Sequence, residues 1–246
     1  MNENKEYTVS QRMYNSLAPF YNRYARARMN YIQAINHIVR DHIDNDVHSV
    51  LDLGAGNGTR IHNILKGKSK QIKQVYLVEN APKMLENMLT IPKYHVIRQD
   101  FSSTEFNLQK KFDCITCLWN VMGHVEKNNV LTALNNMAKH LSPSGFVIID
   151  INNRNNIKQY GIHAIKNCFR DLFFYNYATG DIVFDINITG NKIKSQVHLF
   201  SKTEFDRIIK QSNLRIQKCY YINYNTGKKE YFSFCGQLCY VLRGKV

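Results

Sequence analysis

The sequence predicts an α/β protein: a doubly wound, mostly parallel seven-stranded sheet with an antiparallel last strand, helices on both faces, and an inserted β-hairpin cap. Three observations carry this. From residue 47 onward, apolar strand-like runs alternate with helical stretches, the pattern of a parallel sheet covered on both faces. The first run, Val50-Leu51-Asp52-Leu53, feeds straight into the loop Gly54-Ala55-Gly56-Asn57-Gly58, and a helical pattern begins at Thr59. The last two runs are joined through Asn225-Thr226-Gly227, and neighbouring strands joined by so short a turn must be antiparallel.

At 246 residues the chain suits one domain, read here as a helical lid over 1–45, a core over 46–151, an inserted cap over 152–200 and a sheet-completing segment over 201–246. Hydrophobic residues make up 44% of it, enough for a sizeable core. No stretch approaches the roughly 20 apolar residues that span a bilayer, and Met1–Glu6 lacks the apolar centre of a signal peptide. A cytoplasmic protein without a membrane partner is the expectation. The six cysteines read as core residues: Cys114 and Cys117 lie three apart in an apolar strand and point to opposite faces. Cys235 and Cys239 would sit about 13 Å apart along a strand, too far for a disulfide. No metal site is expected. The net charge of +14 admits nucleic acid or an acidic substrate, but lysines and arginines are scattered, and the densest groups, Lys66–Lys70 and Lys110–Lys111, fall in expected loops.

In chain order, residues 7–43 read as helices. Tyr14, Leu17, Tyr21, Tyr24, Arg28 and Tyr31 recur at spacings of three and four, as do Tyr31, Ile35, Ile38, Val39 and Ile43, with Pro19 marking a break or a second helix start. Strands are expected near 47–53, 74–79, 94–98, 112–118, 145–151, 214–224 and 231–242, and helices near 58–66, 81–88 and 127–141. Ser201-Lys202-Thr203-Glu204 is a capping box opening a further helix to about Ser212. Within 152–200, Asp181–Ile188 and Lys192–Phe200 alternate around Thr189-Gly190-Asn191, a hairpin signal. Phe169, Phe173, Phe174, Tyr175 and Tyr177 precede it and are expected to wall a substrate pocket or to form a core beneath the cap. Lys166 and Arg170, one helical turn apart, offer an alternative receptor for an acidic group.

Ligands of such sheets lie at the carboxyl ends of the strands. There the glycines give a tight turn and bare backbone, and Glu79, ending the second strand, can accept hydrogen bonds from two ribose hydroxyls. The spacing is G-x-G-x-G with Asp52 two residues ahead, not the G-x-G-x-x-G of dinucleotide enzymes. "VLDLGAGNG" is similar to the first motif of the class I (Rossmann-like) S-adenosylmethionine (SAM) methyltransferases, small-molecule type, at every position. The resemblance covers 47–151 strongly and 201–242 more weakly; "LSPSGFVIID" follows the family's turn with Ser144 in place of a glycine.

The resemblance implies SAM as cofactor, held by Asp52, Gly54, Ala55, Gly56, Asn57, Gly58, Glu79, Asn80, Met84, Asp100, Phe101, Trp119 and Asn120. Asp100 and Phe101 would meet the adenine, and Met84 could pack on it; Asp100 could instead cap a helix, and Trp119 could flank the adenine or be core. "LAPFYNRYA" resembles the family's lid, with Tyr21 closing over the sulfonium. His124 is the first candidate general base or else a packing residue, with His163 and His198 behind it. The N-P-P-Y or D-P-P-Y and Pro-Cys motifs of base methylation are missing. The expectation is methyl transfer to an O or N atom of a small-molecule acceptor, with an RNA methyltransferase or a non-catalytic SAM-binding protein as rivals.

Overall fold

A computed structural model describes residues 7–68, 70–173, 177–188 and 191–245. The N-terminal region forms α1 (Val9–Leu17), a 3-10 turn (Ala18–Phe20), α2 (Tyr21–Arg26) and α3 (Met29–His42). The periodic set from Tyr14 to Tyr31 is therefore shared among three short helices, because Pro19 sits in the 3-10 turn and interrupts the first. Thr8 and Gln11 close a reciprocal capping box that starts α1. Helix α3 buries Tyr31, Ile35, Ile38 and Val39 against the sheet, the face its periodicity predicts.

The core then runs β1 (Ser49–Leu53), α4 (Thr59–Leu65), β2 (Gln74–Glu79), α5 (Pro82–Glu86), β3 (Tyr94–Arg98), β4 (Phe112–Cys117), α6 (Val130–Lys139) and β5 (Leu141–Ile151). After it come α7 (Ile157–Tyr160), α8 (Ile162–Phe173), the hairpin β6 (Asp181–Ile188) and β7 (Asn191–His198), α9 (Lys202–Gln211), β8 (Leu214–Ile222), β9 (Lys229–Glu230) and β10 (Gln237–Gly244). Sheet order is β3-β2-β1-β4-β5-β10-β8-β9. Strands β1 to β5 pair parallel, and β10 is antiparallel to both β5 and β8.

Two details differ from the expected seven strands. The turn at 225–227 closes a two-residue edge strand, β9, onto β8, and the last strand starts only at Gln237, after a 3-10 turn at Ser233–Cys235. Two apolar layers sandwich the sheet: one holds Leu51, Val147, Phe205 and Tyr240, the other Tyr31, Val50, Ile61 and Val241. None of the helices among the described residues is long and apolar enough to cross a membrane.

A buried ionic chain ties the hairpin to the sheet. Arg154, 1% exposed, donates to both carboxylate oxygens of Asp171 on α8, to Leu199 O and to Glu204 in the first turn of α9. Glu204 also closes the capping box with Ser201, as the sequence predicts, and its other oxygen meets His198 Nε2 at 3.1 Å. His198 Nδ1 in turn lies 2.6 Å from Asp181 at the start of β6. Helix α1 packs on β7, with Met13 and Leu17 against Ile186 and Ile193. Helix α1 and the hairpin thus form one roof over the carboxyl edge of the sheet.

Of the aromatic run, the two residues whose side chains are described do not wall a pocket as expected. Phe169 and Phe173 stand 62% and 66% exposed on α8, because Ile162, Ile165, Phe169 and Phe173 share an outward helix face. Phe174 and Tyr175, like the Thr189-Gly190 turn, lie outside the described residues, as does the Tyr177 side chain. Lys166 and Arg170 stay on the outside of the same helix, where Arg170 donates to Asn167 Oδ1 and Thr179 O.

Candidate active site

A cavity of about 500 Å³ opens at the carboxyl ends of β1, β2, β3 and β4. It gathers Gly54, Gly56, Glu79, Asn80, Asp100, Phe101, Trp119, Tyr21 and His124, nine of the positions singled out from sequence. Its roof is Thr8, Val9, Ser10 and Tyr14 from α1 with its N-cap, and Gln196, Val197 and His198 from β7.

The loop is held open by what its glycines lack. Gly54 and Gly56 have φ of 68° and 61°, the left-handed region that side chains disfavour. A Cβ on Gly54 would lie 2.6 Å from Val121 Cγ1, and one on Gly56 would lie 3.0 Å from the Tyr21 hydroxyl. Glu79 fastens the loop. Its Oε2 accepts from Gly56 N–H at 2.9 Å, and Oε1 accepts from the N–H groups of Asn80 and Ala81 at 2.9 and 2.8 Å. Burial pushes the Glu79 carboxyl above its ordinary range, while these three N–H donors pull it back.

Six other expected residues stand behind the cavity wall. Asp52 accepts from Thr116 Oγ1 at 2.6 Å beneath the loop. Ala55 is packed in the core; Asn57 Oδ1 accepts from Thr59 N–H and its Nδ2 donates to Asn22 Oδ1, fastening the loop to α2. Gly58 opens α4. Met84 is buried with Ala18, Ala81, Tyr14 and Tyr21 rather than lining the cavity. Asn120 accepts from Asn152 N–H at 2.8 Å. Asp100, which lines the cavity, also caps its own turn, accepting from Ser102 N–H and Oγ.

Burial raises the Asp52 carboxyl to about 6, against the opposing pulls of Thr116 and Arg60. The folded protein then holds a proton between roughly pH 4 and 6 that the unfolded chain has released, so stability falls as pH rises through that window. Asp52→Asn is expected to gain about 2–3 kcal/mol relative to the parent at pH 7 and to lose that advantage below about pH 4. Thermal midpoints across this range check it; a difference independent of pH would contradict the buried charge.

The loop after β4 is strained. Trp119 and Asn120 adopt consecutive left-handed conformations, φ 66° and 59°, which cost side chains energy unless their surroundings hold them. Asp150, buried at the end of β5, does this: its Oδ1 accepts from Trp119 N–H at 2.7 Å, its main-chain oxygen from Asn120 N–H at 3.1 Å, and its Oδ2 from the Tyr31 hydroxyl at 2.8 Å. The reward is a placed ring, since Trp119 stands against Tyr21 and Tyr24 at 5.7 and 5.6 Å between centroids. The sequence reading missed Asp150, although an acid ending the apolar run Phe146–Ile149 is the same signal as Glu79 ending β2. It also missed Arg154, Glu126, Asp181 and Gln196; the last three line the cavity or its mouth.

His124 lies edge-on to Tyr14 at 5.3 Å, and its Nδ1 is buried without a partner. Burial pushes its pKa down to about 4, against the pull of the Gln196 backbone, so it is neutral at neutral pH. His198 lines the cavity but is engaged by two carboxylates, and His163 is exposed on α8 away from it.

The fold and the site define a class: a class I SAM-dependent methyltransferase, whose sheet order, glycine loop and strand-end acid are all present. The chain belongs to the family described as the methyltransferase domain, whose model matches residues 21–218. Solved structures share the fold at low sequence identity. A SAM-dependent methyltransferase from Clostridium acetobutylicum ATCC 824 is 17% identical, with 94% of this chain and 98% of that chain covered and a TM-score of 0.63. The CcbJ methyltransferase from Streptomyces caelestis is 11% identical over 96% and 99%, at a TM-score of 0.66. SAM-bound CalS10, an amino pentose methyltransferase from Micromonospora echinaspora, is 15% identical over 100% and 100%, at 0.58. No curated protein matches the sequence at a significant level.

The residues present fit the cofactor: a glycine cradle that admits no Cβ at Gly54, a buried carboxylate facing the cavity, and Tyr14, Tyr21 and Trp119 lining the same cavity with aromatic faces of the kind that suit a sulfonium. SAM supplies an activated methyl group; the protein supplies the geometry around it.

Proposed function

We propose that the chain methylates an O or N atom of a small-molecule acceptor. The observation that carries this is the roof: α1 and β7 close over the glycine loop, so an acceptor must fit within the cavity rather than lie across an open face. The amino pentose methyltransferase, a neighbour in fold, agrees with it. In this reading Glu79 receives the ribose hydroxyls, Gly54 and Gly56 lie against the methionine portion, and Asp100 with Phe101 meets the adenine. Tyr21 closes the lid, His124 takes a proton from the acceptor, and residues 152–200 serve as the substrate cap. Holding donor and acceptor in line and excluding water can lower a barrier by about 7–11 kcal/mol in favourable cases.

The net charge of +14 favours RNA as a second acceptor class. Gln196→Trp separates the two. Gln196 is exposed where it meets the cavity mouth, so the variant is expected to fold and to bind S-adenosylhomocysteine (SAH) as the parent does. Transfer to a metabolite fraction is expected to fall tenfold or more. Unchanged transfer would mean that the acceptor reaches the site by another route. Salt-sensitive transfer to RNA would favour the second class.

A further inference from the structure

Beside the main cavity lies a second, smaller chamber of about 70 Å³. The two share Tyr14, Tyr21, Trp119, His124 and Val197 as walls, so the chamber adjoins the place where the methyl group is to be transferred. On this measure a single water needs at least about 10–15 Å³, so the chamber suits a group of a few heavy atoms and not a sugar ring or a nucleobase.

Its lining is unusual in two respects. Six aromatic residues, Tyr14, Tyr21, Tyr24, Trp119, Phe184 and Tyr224, line it, and among the described residues no carboxylate and no lysine or arginine does. Two polar atoms there have no hydrogen-bond partner: His124 Nδ1 and the hydroxyl of Ser195, a residue with 0% exposure on β7. Buried polar groups are nearly always paired, and an unpaired one is destabilising unless a ligand or water completes it.

We propose, resting on the small-molecule reading above, that the acceptor is an amine whose nitrogen is received in this chamber, with its N–H groups directed to His124 Nδ1 and Ser195 Oγ and its developing positive charge held by the aromatic faces. Aromatic faces attract cations, and they do so most where water is excluded. Charge accounting separates an amine from a hydroxyl. The nitrogen lone pair forms the new N–C bond as the methyl carbon's bond to sulfur breaks, with both electrons staying on sulfur. The positive charge therefore passes from sulfur to nitrogen and remains among the rings. If the amine enters as an ammonium, its proton goes first to His124 Nδ1 and then to water in the main cavity. A hydroxyl acceptor would end as a neutral ether and leave the rings without a cation.

The test uses the full chain loaded with SAH. Trimethylammonium and tert-butanol, a neutral probe of similar size, are titrated separately by calorimetry. Trimethylammonium is expected to bind at least tenfold more tightly than tert-butanol, and Tyr24→Leu, which keeps apolar bulk but removes a ring, is expected to erase most of that preference while SAH affinity stays within threefold. Ser195→Ala is expected to weaken trimethylammonium several-fold without changing tert-butanol. Equal affinities for the two probes in the parent, or a preference untouched by Tyr24→Leu, would overturn the amine assignment and leave the small-molecule reading standing. Failure of SAH to load would overturn both.

Discussion

Glu79→Ala is expected to weaken SAM binding tenfold to a hundredfold or more. Glu79 stands at the end of β2 with 7% exposure, faces the cavity, and already accepts three backbone N–H groups, one of them from Gly56 in the loop. Hydrogen bonds to a charged group contribute about 1.5–3 kcal/mol each, and each 1.4 kcal/mol is a factor of ten in affinity. Alanine removes the proposed ribose acceptor and releases the loop that positions the rest of the cofactor. Calorimetry with SAM, paired with circular dichroism to establish folding, checks it. A folded variant with unchanged affinity would remove Glu79 from the cofactor site.

The largest stability effect is expected at Arg154. Arg154→Met leaves Glu204, 2% exposed, and Asp171 without the guanidinium that neutralises them. Breaking a buried pair from one side costs about 3–5 kcal/mol, whereas replacing both charges is often close to neutral. For a chain of this size the thermal midpoint should fall by on the order of 10 °C. The double variant Arg154→Met with Glu204→Gln, which keeps the capping box, should recover a substantial part. Burial alone would raise the Glu204 carboxyl, but His198 and Arg154 hold it below its ordinary range. The stability that this contributes is therefore present at neutral pH and is lost as pH falls through the folded-state value, so the penalty of Arg154→Met should shrink in acid. An equal penalty at all pH values, or no recovery in the double variant, would mean that Arg154 acts by packing alone.

What could be read from the sequence divides by range. Strands β1 to β4, the glycine loop, Glu79 and the capping box at Ser201 were legible because each is written in a few adjacent residues: an apolar run, a glycine spacing, an acid at a strand end, a serine three before a glutamate. The hairpin was legible for the same reason. The roles of Asp150 and Arg154 were not, because their partners Tyr31 and Glu204 lie 119 and 50 residues away and no period links them. Glu204 was read as a cap and is also the centre of an ionic chain; local pattern showed only the local half. Phe169 and Phe173 misled for a different reason. Their composition suggested a wall, but their spacing with Ile162 and Ile165 sets them on one face of α8, and only packing decides whether such a face turns inward. The left-handed pair at Trp119 and Asn120 was likewise invisible: asparagine tolerates that conformation, but a bulky tryptophan argues against it, and only the bonds to Asp150 hold it there.

The central claim is that a roofed cavity methylates small molecules. Incubating the full chain with methyl-labelled SAM and separate metabolite, RNA and protein fractions tests it most directly. The expected result is label in the metabolite fraction, in a product retained on a cation exchanger below the amine's pKa, with RNA and protein unlabelled. Label recovered in RNA or protein, with none in metabolites, would contradict the account.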